Sequence, residues 1–555
     1  MLLNRYATSF KTDSFNGGLT YLNPAARCKT GRIAVSGTVK TIEKKSSVKN
    51  GIGRLALTAV SVILEVTVIV VIALRLNAYA EWIAIGTRIL AAFLVLAIYV
   101  RNTTSAMKIP WIILIMTFPV LGVTLYLLIG FNGSTRSMRK RYDDIDCVLL
   151  PKLPKNREII ESLQDKSGYL ANIARYVHEK AGYPIYQNTD IEYYDDAAVG
   201  LAAQKEALQR AEKFIFMEYH AIEDSESWHG IQNILEERVQ AGVEVRVFYD
   251  DMGSIGFINT DFVKRMESKG IRCRVFNPFI PGLKVFLNNR DHRKITVIDG
   301  KVGFTGGYNL ADEYFHVTQP YGYWKDTGIK LTGDAVKSLT VTFLEMWNAV
   351  KNNDRDDQDF DRYLSGVGYQ ALQKGYVQPY ADSPMDNEHV GEEVYISVAE
   401  SAEKYAWFIT PYLIITDEMT HALSLAAKRG VDVRIITPGI PDKKMVYSMT
   451  RSFYNGLVRN GVRIFEYTPG FCHCKMSVSD DRVATCGTIN LDYRSLYHHF
   501  ENGCLYYDCQ AVLDTKQDFE NTFRECREVT YAYRSGRGQF LRLQQLLLRL
   551  IAPLL

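Results

Sequence analysis

The chain has 555 residues, of which 65 are Lys or Arg and 62 are Asp or Glu, and its hydrophobic content is 47%. This length is enough for more than one folded domain, and the composition excludes a fully disordered protein. A formal net charge of +3 argues against a dedicated nucleic-acid binder, whose domains carry strongly basic surfaces. The nine cysteines are scattered and odd in number, so we expect reduced thiols rather than a disulfide scaffold.

The N-terminal region combines a basic segment with long apolar runs. Residues 1–54 contain ten Lys and Arg and two acidic residues, which predicts a mobile basic tail. Apolar runs follow at residues 55–76, 82–100 and 109–131, each close to the roughly 20 residues that a membrane-spanning helix needs. A buried helical hairpin is the alternative, but the length and low charge of the runs favour two to three transmembrane helices within residues 55–131. Because both flanks of this region are basic, the orientation of the first span stays open.

The rest of the chain predicts an α/β fold that contains an internal repeat. Residues 132–180 are expected to form a juxtamembrane linker. After it, strand-like runs alternate with amphipathic helical ones, and the order strand, helix, Gly-Val step and strand occurs twice. This repetition predicts two similar lobes at residues 181–375 and 376–535. Residues 536–555 have leucines at helical spacing, so this amphipathic segment is expected either to lie on a membrane or to dock on the domain.

A four-residue motif is found once in each predicted lobe. The segments DHRKITVIDGKVGFTGGYN and CHCKMSVSDDRVATCGTIN both contain HxKxxxxD, followed by an Asn seventeen residues after the histidine. We expect these residues to be catalytic or substrate-binding, because a match at fixed offsets that occurs twice is specific. They are His292, Lys294, Asp299 and Asn309 in the first copy and His473, Lys475, Asp480 and Asn490 in the second.

The spacing of the motif suggests chemistry on a phosphate group. A histidine and a lysine two residues apart on a strand point to the same face, and the aspartate begins a tight turn into a second strand. Gly307 and Thr488 lie on that second segment, where small residues are expected to leave backbone amides and a hydroxyl free for an anion. One histidine would attack phosphorus and the other would protonate the leaving alkoxide, while the lysines bind the non-bridging oxygens. We therefore expect neither a metal nor another cofactor.

Further motifs accompany the two HxK segments. They are DDMGS at 250–254, TGGYNLADEYF at 305–315, WKDTG at 324–328, TPY at 410–412 and GTINLDYRS at 487–495. With them the chain resembles the phospholipase D superfamily and, within it, the bacterial cardiolipin synthases, over roughly residues 80–555. This resemblance implies two phospholipase D-like lobes, each a mixed β-sheet flanked by helices, preceded by N-terminal transmembrane helices.

The resemblance also implies an activity and a location. Two phosphatidylglycerols would react to give cardiolipin and glycerol through a phosphohistidine, so the partners would be phosphatidylglycerol and other membrane phospholipids rather than nucleic acid. The protein would be a multi-pass protein of the cell membrane with its catalytic region in the cytoplasm. The alternatives are a phospholipase D-type hydrolase, in which water replaces the alcohol, and another phosphatidyltransferase.

By the same resemblance, His292 is expected to be the nucleophile and His473 the general acid and base. A carboxylate that orients the histidine commonly follows it by 28 residues, which selects Glu501 as the partner of His473 and predicts a raised pKa for that histidine. The first copy has Pro320 at this offset, and Glu313 is the nearest acidic candidate.

Three other groups of residues receive no catalytic role. Cys472 and Cys474 flank a catalytic histidine, but their spacing lacks the second pair of ligands that a structural zinc site needs. His498 and His499 are interpreted as surface or core residues, and His220 is assigned no function.

Overall fold

A computed structural model describes residues 81–101, 103–127, 135–278, 289–350, 359–365, 368–386 and 388–534, with isolated positions between 56 and 75 and at 548, 549 and 552. The predicted tail 1–54 lies outside the described residues. The first apolar run, 55–76, and the C-terminal segment 536–555 also lie outside them, apart from those isolated positions.

Three helices correspond to the second and third apolar runs. Helix α1 spans Glu81–Val100, α2 spans Ser105–Thr117 and α3 spans Pro119–Leu125. The third run is therefore divided, because Phe118 leaves helical geometry and Pro119 starts a new helix at a position where its missing N–H costs nothing. In the part of the chain that the structure describes, no helix has the length and apolar character needed to cross a membrane.

The interval that was expected to be a linker is helical and belongs to the fold. Helices α4 (Thr135–Leu149), α5 (Arg157–Lys166) and α6 (Gly168–Lys180) fill it. Leu163 and Val177 lie fully buried in the main hydrophobic core, which also contains side chains of both lobes. The linker prediction was wrong. Each of these helices has apolar residues at helical spacing on one face, and because that face packs against the lobes, the helices are part of the folded domain.

The first lobe contains a mixed sheet of seven strands in the order β1-β8-β7-β6-β2-β3-β4. Strands β2, β3 and β4 are parallel to one another, and β6, β7, β8 and β1 pair antiparallel. The strands are β1 (Thr189–Tyr194), β2 (Phe214–Tyr219), β3 (Glu244–Asp250), β4 (Arg272–Phe276), β6 (Lys294–Ile298), β7 (Val302–Gly306) and β8 (Gly328–Gly333). The helices are α7 (Ala197–Gln209), α8 (Glu226–Gln240), α9 (Asp251–Ser254), α10 (Phe262–Ser268), α11 (Val336–Ala349) and α12 (Asp361–Leu364).

The second lobe repeats this arrangement, which confirms the predicted α/β fold with two similar mixed sheets flanked by helices. Its sheet has the order β16-β12-β11-β10-β13-β14-β15-β5, in which β5 (Arg290–Asp291) comes from the first copy of the motif, and β9 pairs with β15. The strands are β9 (Tyr376–Asp382), β10 (Tyr405–Ile409), β11 (Asp432–Pro438), β12 (Arg463–Tyr467), β13 (Met476–Ser479), β14 (Val483–Gly487), β15 (His499–Tyr507) and β16 (Cys526–Glu528). The helices are α13 (Val390–Ser401), α14 (Asp417–Lys428), α15 (Lys444–Arg459), α16 (Tyr493–Tyr497), α17 (Gln510–Arg524) and α18 (Thr530–Arg534).

The two lobes are joined by backbone pairing at the HxK segments. Strand β5 (Arg290–Asp291) comes from the first copy but pairs in parallel with β15 of the second sheet. Immediately after it, the N–H of His292 donates to the carbonyl of Phe500 at 2.9 Å. In the reciprocal contact, the N–H of His473 donates to the carbonyl of Lys325 at 2.8 Å. Both histidines are therefore held at the junction of the lobes.

Candidate active site

The motif aspartates lie at turns, away from the histidines. Asp299 and Asp480 both have positive φ, and each begins the turn of a hairpin, β6–β7 or β13–β14. Their carboxylates accept hydrogen bonds of 2.7–2.9 Å from three successive backbone amides that lead into β2 or β10. Each aspartate follows its lysine by five residues, which along a strand is about 16 Å at roughly 3.3 Å per residue. The structure thus gives both a structural role at the turns instead of the expected catalytic one.

His292 is paired with a carboxylate of the other lobe. It is buried at the junction of the lobes, with 8% of the residue exposed. Nδ1 lies 2.9 Å from each carboxylate oxygen of Glu501. The hydroxyl of Thr488 donates to Oε2 of the same carboxylate and so fixes its orientation. Among the described residues Nε2 of His292 has no hydrogen-bond partner, which leaves this nitrogen available to a substrate.

His473 has the corresponding partner from the first lobe. Its Nδ1 lies 2.7 Å from Oδ2 of Asp326, and 7% of the residue is exposed. Oδ1 of Asp326 accepts a hydrogen bond from the backbone N–H of Thr327. Gly307 makes room for this carboxylate, because a Cβ at that position would lie 2.0 Å from Oδ1 of Asp326. Gly307 therefore serves the site by its lack of a side chain.

The two carboxylates occupy equivalent positions in the two sheets. Asp326 and Glu501 each lie two residues before a glycine, Gly328 or Gly503, that pairs with the last residue of the preceding strand. Each reaches the histidine of the opposite lobe, because the HxK segments pair with the neighbouring lobe at this edge.

The expected partners of the histidines were wrong in both copies. Glu501 orients His292 instead of His473, and the carboxylate at His473 is Asp326 of the WKDTG motif. Glu313 lies in a 3₁₀ turn, is half-buried and is not hydrogen-bonded to either imidazole. Burial raises the pKa of Glu313 to about 7, with smaller contributions from Glu223 and Asp442.

Burial and the charge of the motif lysines together keep both imidazoles neutral. Lys294 Nζ donates to the carbonyl of His292 at 2.6 Å, and Lys475 Nζ donates to the carbonyl of His473. Burial lowers the pKa of Lys294 to about 7 and also lowers that of Lys475. Burial, followed by the charge of Lys475, lowers the pKa of His473 to about 4, so the raised pKa expected for this histidine was wrong. Burial, then Lys294 and Lys475, holds the pKa of His292 well below its usual value.

The remaining predicted residues support the site indirectly. The amides of Gly307 and Thr488 donate to backbone carbonyls across the sheet, so the expectation that they are free for an anion was wrong. The side chain of Asn309 accepts from the backbone N–H of Ala221 and donates to the hydroxyl of Tyr314. Asn490 is buried, and its Oδ1 has no hydrogen bond within the described residues.

Two histidines that the sequence analysis set aside lie against His292. The ring centroid of His220 is 4.9 Å from that of His292 at a steep angle, and the centroid of His499 is 5.4 Å away. Nδ1 of His220 donates to the carbonyl of Asp291, whereas Nδ1 of His499 is 3.5 Å from Oε1 of Glu501. Position 499 could have been found from the sequence, because it precedes Glu501 by two residues on one strand and so shares its face.

Aromatic side chains take the corresponding place around His473. Its ring centroid lies 5.3 Å from Tyr314, 5.4 Å from Trp324 and 5.9 Å from Phe471. Cys472 and Cys474, on either side of this histidine, are fully buried with their sulfur atoms 4.0 Å apart.

One group of side chains has the donor set of a metal site. The ligand atoms of His292, His499 and Glu501 lie within 4.8 Å of one another, and two imidazoles with a carboxylate suit Zn²⁺. The charges of Lys294 and Lys475 act on His292 and oppose a divalent cation at this position. This arrangement favours an anionic ligand between the two histidines.

Comparisons with known proteins agree with this geometry. The profile of the family described as "Cardiolipin synthase, PLD-like domain" matches residues 205–347 and 395–524, and that of "Phospholipase_D-nuclease N-terminal" matches residues 89–130. An uncharacterized protein of Streptococcus mutans is 42% identical, with 80% of this chain and 96% of the relative covered. A cardiolipin synthase of Halalkalibacterium halodurans is 31% identical, with 84% of this chain and 92% of the relative covered.

A solved structure supports the same fold. The phosphatidylserine synthase of Haemophilus influenzae superposes with a TM-score of 0.51 at 16% identity, covering 69% of this chain and 97% of the other. From the matched profile, the relatives and the paired histidines together, the chain belongs to the cardiolipin synthase family of proteins with phospholipase D-like domains.

Proposed function

We propose that the protein is a phosphatidyltransferase that moves a phosphatidyl group from one phosphatidylglycerol to another and releases glycerol. The observation that carries the proposal is the pair of imidazoles at the lobe junction, each bound to a carboxylate of the opposite lobe and each beside a lysine. The choice of phosphatidylglycerol is supported by the relatives, several of which bear the name cardiolipin synthase.

The first half of the reaction loads His292. Since Nδ1–H donates to Glu501, the lone pair of His292 is on Nε2, and this nitrogen attacks the phosphorus of the first phosphatidylglycerol. The P–O bond to the glycerol head group breaks, and His473 gives its proton to the departing alkoxide. Lys294 and Lys475 stabilise the negative charge that develops on the non-bridging oxygens. Glycerol leaves, and a phosphatidyl group remains on His292.

The second half transfers this group to the acceptor. His473, now neutral, removes the proton from a hydroxyl of the second phosphatidylglycerol. The oxygen attacks phosphorus, the P–N bond breaks, and cardiolipin forms while His292 regains its lone pair. Proton balance is restored because His473 ends the cycle protonated.

The electrostatics of the site change when substrate binds. In the free site the pKa of His473 is about 4, because burial and Lys475 disfavour the imidazolium. A phosphodiester anion beside the two lysines compensates their charge and raises this pKa, while Asp326 is already in place to stabilise the imidazolium. The bound substrate thus prepares the acid that the first step needs.

The proposed location is the cell membrane, with residues 55–131 as the anchor in two to three spans and the lobes in the cytoplasm. This location is supported by the apolar side chains that α1 exposes, among them Ile89, Phe93 and Leu96, which are 55%, 67% and 61% exposed. The phospholipid substrate is itself confined to a bilayer. Carbonate extraction of membranes should leave the protein in the pellet, and protease added to spheroplasts should spare the lobes.

The activity is tested by giving the purified full-length protein radiolabelled phosphatidylglycerol in vesicles and separating the lipids formed. Labelled cardiolipin and free glycerol are the expected products. Phosphatidic acid as the main product would mean that water is the acceptor and the protein is a hydrolase. The His292→Ala variant is the matched control and should form neither product.

A further inference from the structure

Two equivalent loops lie at the histidine end of the two sheets. Residues 251–261 follow β3 and residues 439–443 follow β11, and these strands hold the same place in the two sheets. The register of β2 with β6 sets Tyr219 opposite Lys294, and that of β10 with β13 sets Ile409 opposite Met476, next to Lys475. The carboxyl ends of the parallel strands therefore lie at the histidine end of each sheet, and both loops lie at that end as well.

Both loops expose large apolar side chains. Phe257 is 40% exposed, Ile440 is 39% exposed, and Met445, in the first turn of α15, is 51% exposed. Lys443 and Lys444, which lie between Ile440 and Met445 in the sequence, are exposed as well. We call the residues Phe257, Ile440, Lys443, Lys444 and Met445 the rim.

Contacts connect the rim of the second lobe to His473. The hydroxyl of Tyr412 donates to Asp442 Oδ2 at 2.5 Å, which ties the loop to the end of β10. The ring of Tyr412 is 6.4 Å from that of Phe471, and Phe471 is 5.9 Å from His473. The Lys443 Nζ lies 5.6 Å from the ring centre of Tyr412. The second-lobe part of the rim is therefore linked to His473 by a short chain of side-chain contacts.

We infer that the rim contacts the surface of an anionic phospholipid bilayer and that a lipid head group enters the cleft beside it. This inference rests on the proposed function and specifies how the substrate arrives. Apolar side chains flanked by lysines are the composition of interfacial membrane contacts, since the first enter the acyl boundary and the second bind phosphate.

The N-terminal helices favour a bilayer over a protein as the occupant. Ala106 and Met107, near the start of α2, pack against the main core of the lobes. The apolar helices are therefore attached directly to the catalytic part, without a long spacer. A membrane that takes up these helices therefore lies next to the catalytic part.

The test compares two substrates in the full-length protein, reconstituted in nanodiscs. One substrate is long-chain phosphatidylglycerol within the disc, and the other is dihexanoyl phosphatidylglycerol added as monomers to phosphatidylcholine discs. For the double variant Ile440→Asp/Met445→Asp we expect at least a tenfold loss of rate on the long-chain lipid and less than a twofold change on the monomeric one.

The matched control is Leu372→Asp. Leu372 is 90% exposed, and its N–H donates to Asp190 in β1, at the end of the sheet opposite the histidines. This variant should behave as the wild type with both substrates. Equal losses on both substrates in the double variant would overturn the inference, and so would an unchanged rate on both.

A second measurement does not depend on activity. The fluorescence that Met445→Trp adds to the wild-type signal should be quenched by brominated acyl chains in phosphatidylglycerol vesicles, whereas that of Leu372→Trp should not. Absence of quenching, with a selective loss on the long-chain lipid, would assign the rim to a protein partner and overturn the bilayer contact. Quenching in a protein that makes no cardiolipin would refute the proposed function alone.

Discussion

The surroundings of the two motif histidines, to which we assign the chemistry, differ although the lobes that supply them are alike. His292 has an imidazole on each side, His220 and His499, and its carboxylate partner is also bound by a threonine hydroxyl. His473 is surrounded by aromatic rings, and its carboxylate partner is the shorter Asp326. One half-site therefore has further imidazoles around its histidine, whereas the other has aromatic rings.

This difference agrees with two distinct tasks. A nucleophile that carries a phosphatidyl group needs a fixed orientation and a counter-charge for the imidazolium that forms, and Glu501 and its partners provide both. An acid that must release its proton quickly benefits from an environment that disfavours its charged form, as burial does at His473. The two motifs have the same sequence pattern, but the residues around them give the two histidines different environments.

Removing each histidine in turn gives the largest expected effect. His292→Ala and His473→Ala should both reduce turnover by at least about 10³-fold, because each group acts in both steps. In His473→Ala a phosphatidyl adduct should still form slowly on His292, since attack itself needs no proton from the enzyme. Mass spectrometry of acid-quenched protein detects it, and an adduct on His473 in the His292→Ala variant would reverse the two roles.

The pairing of each histidine with a carboxylate of the other lobe is tested by replacing that carboxylate with the corresponding amide. Glu501→Gln should slow the formation of the adduct by on the order of 10²-fold, because it disturbs the tautomer of His292. Asp326→Asn should slow protonation of the leaving glycerol and deprotonation of the acceptor by a similar factor. Rapid-quench kinetics separates the steps, and a normal rate of adduct formation in Glu501→Gln would refute the pairing with His292.

The buried lysine of the first half-site predicts a dependence on pH. Burial lowers the pKa of Lys294 to about 7, so the ammonium is present below this value and is lost as the pH rises above it. The ratio of kcat/KM for the wild type to that for Lys294→Arg should fall about tenfold per pH unit above 7, since arginine keeps its charge. A ratio that is constant from pH 6 to pH 9 would contradict this pKa.

A smaller effect is expected from the neighbour of Glu501. Nδ1 of His499 is buried, has no hydrogen bond among the described residues and lies 3.5 Å from Oε1 of Glu501. His499→Leu removes this donor and should lower kcat about three- to tenfold with little change in KM, whereas His499→Asn should retain most of the rate. The exposed His421→Leu serves as the control. A loss in KM alone would indicate a role in binding.

The smallest expected effect is that of chelators. The charge for stabilising phosphate oxygens comes from Lys294 and Lys475, so excess EDTA should leave the rate unchanged within about twofold. If EDTA removed the activity and one divalent ion restored it, and if His499→Asn abolished this dependence on the ion, then His292, His499 and Glu501 would hold a functional metal.

Local spacing made part of this site predictable. Two HxK motifs with the same offsets identified His292, Lys294, His473 and Lys475, because side chains two residues apart on a strand share a face. The internal repeat likewise predicted two lobes, since helix, Gly-Val step and strand occur in the same order twice.

Features that depend on pairing between distant strands were missed. Glu501 was identified as an orienting carboxylate but assigned to the motif histidine nearer in sequence, because only the pairing of β15 with β5 brings it to His292. Asp326 was overlooked in a motif that was itself recognised, since its offset from His292 differs from that between His473 and Glu501. The amides of Gly307 and Thr488 were expected to be free because their strand partners could not be known.

Because each histidine is paired with a carboxylate of the other lobe, the active site is complete only after both lobes have been synthesised. Glu501 follows His292 by 209 residues, so at roughly 5–20 residues per second the ribosome delivers it about 10–40 s later. Until β15 emerges and pairs with β5, His292 has no partner to orient it. Before its second lobe has been made, a nascent chain therefore lacks the group that orients His292 for attack on phosphorus.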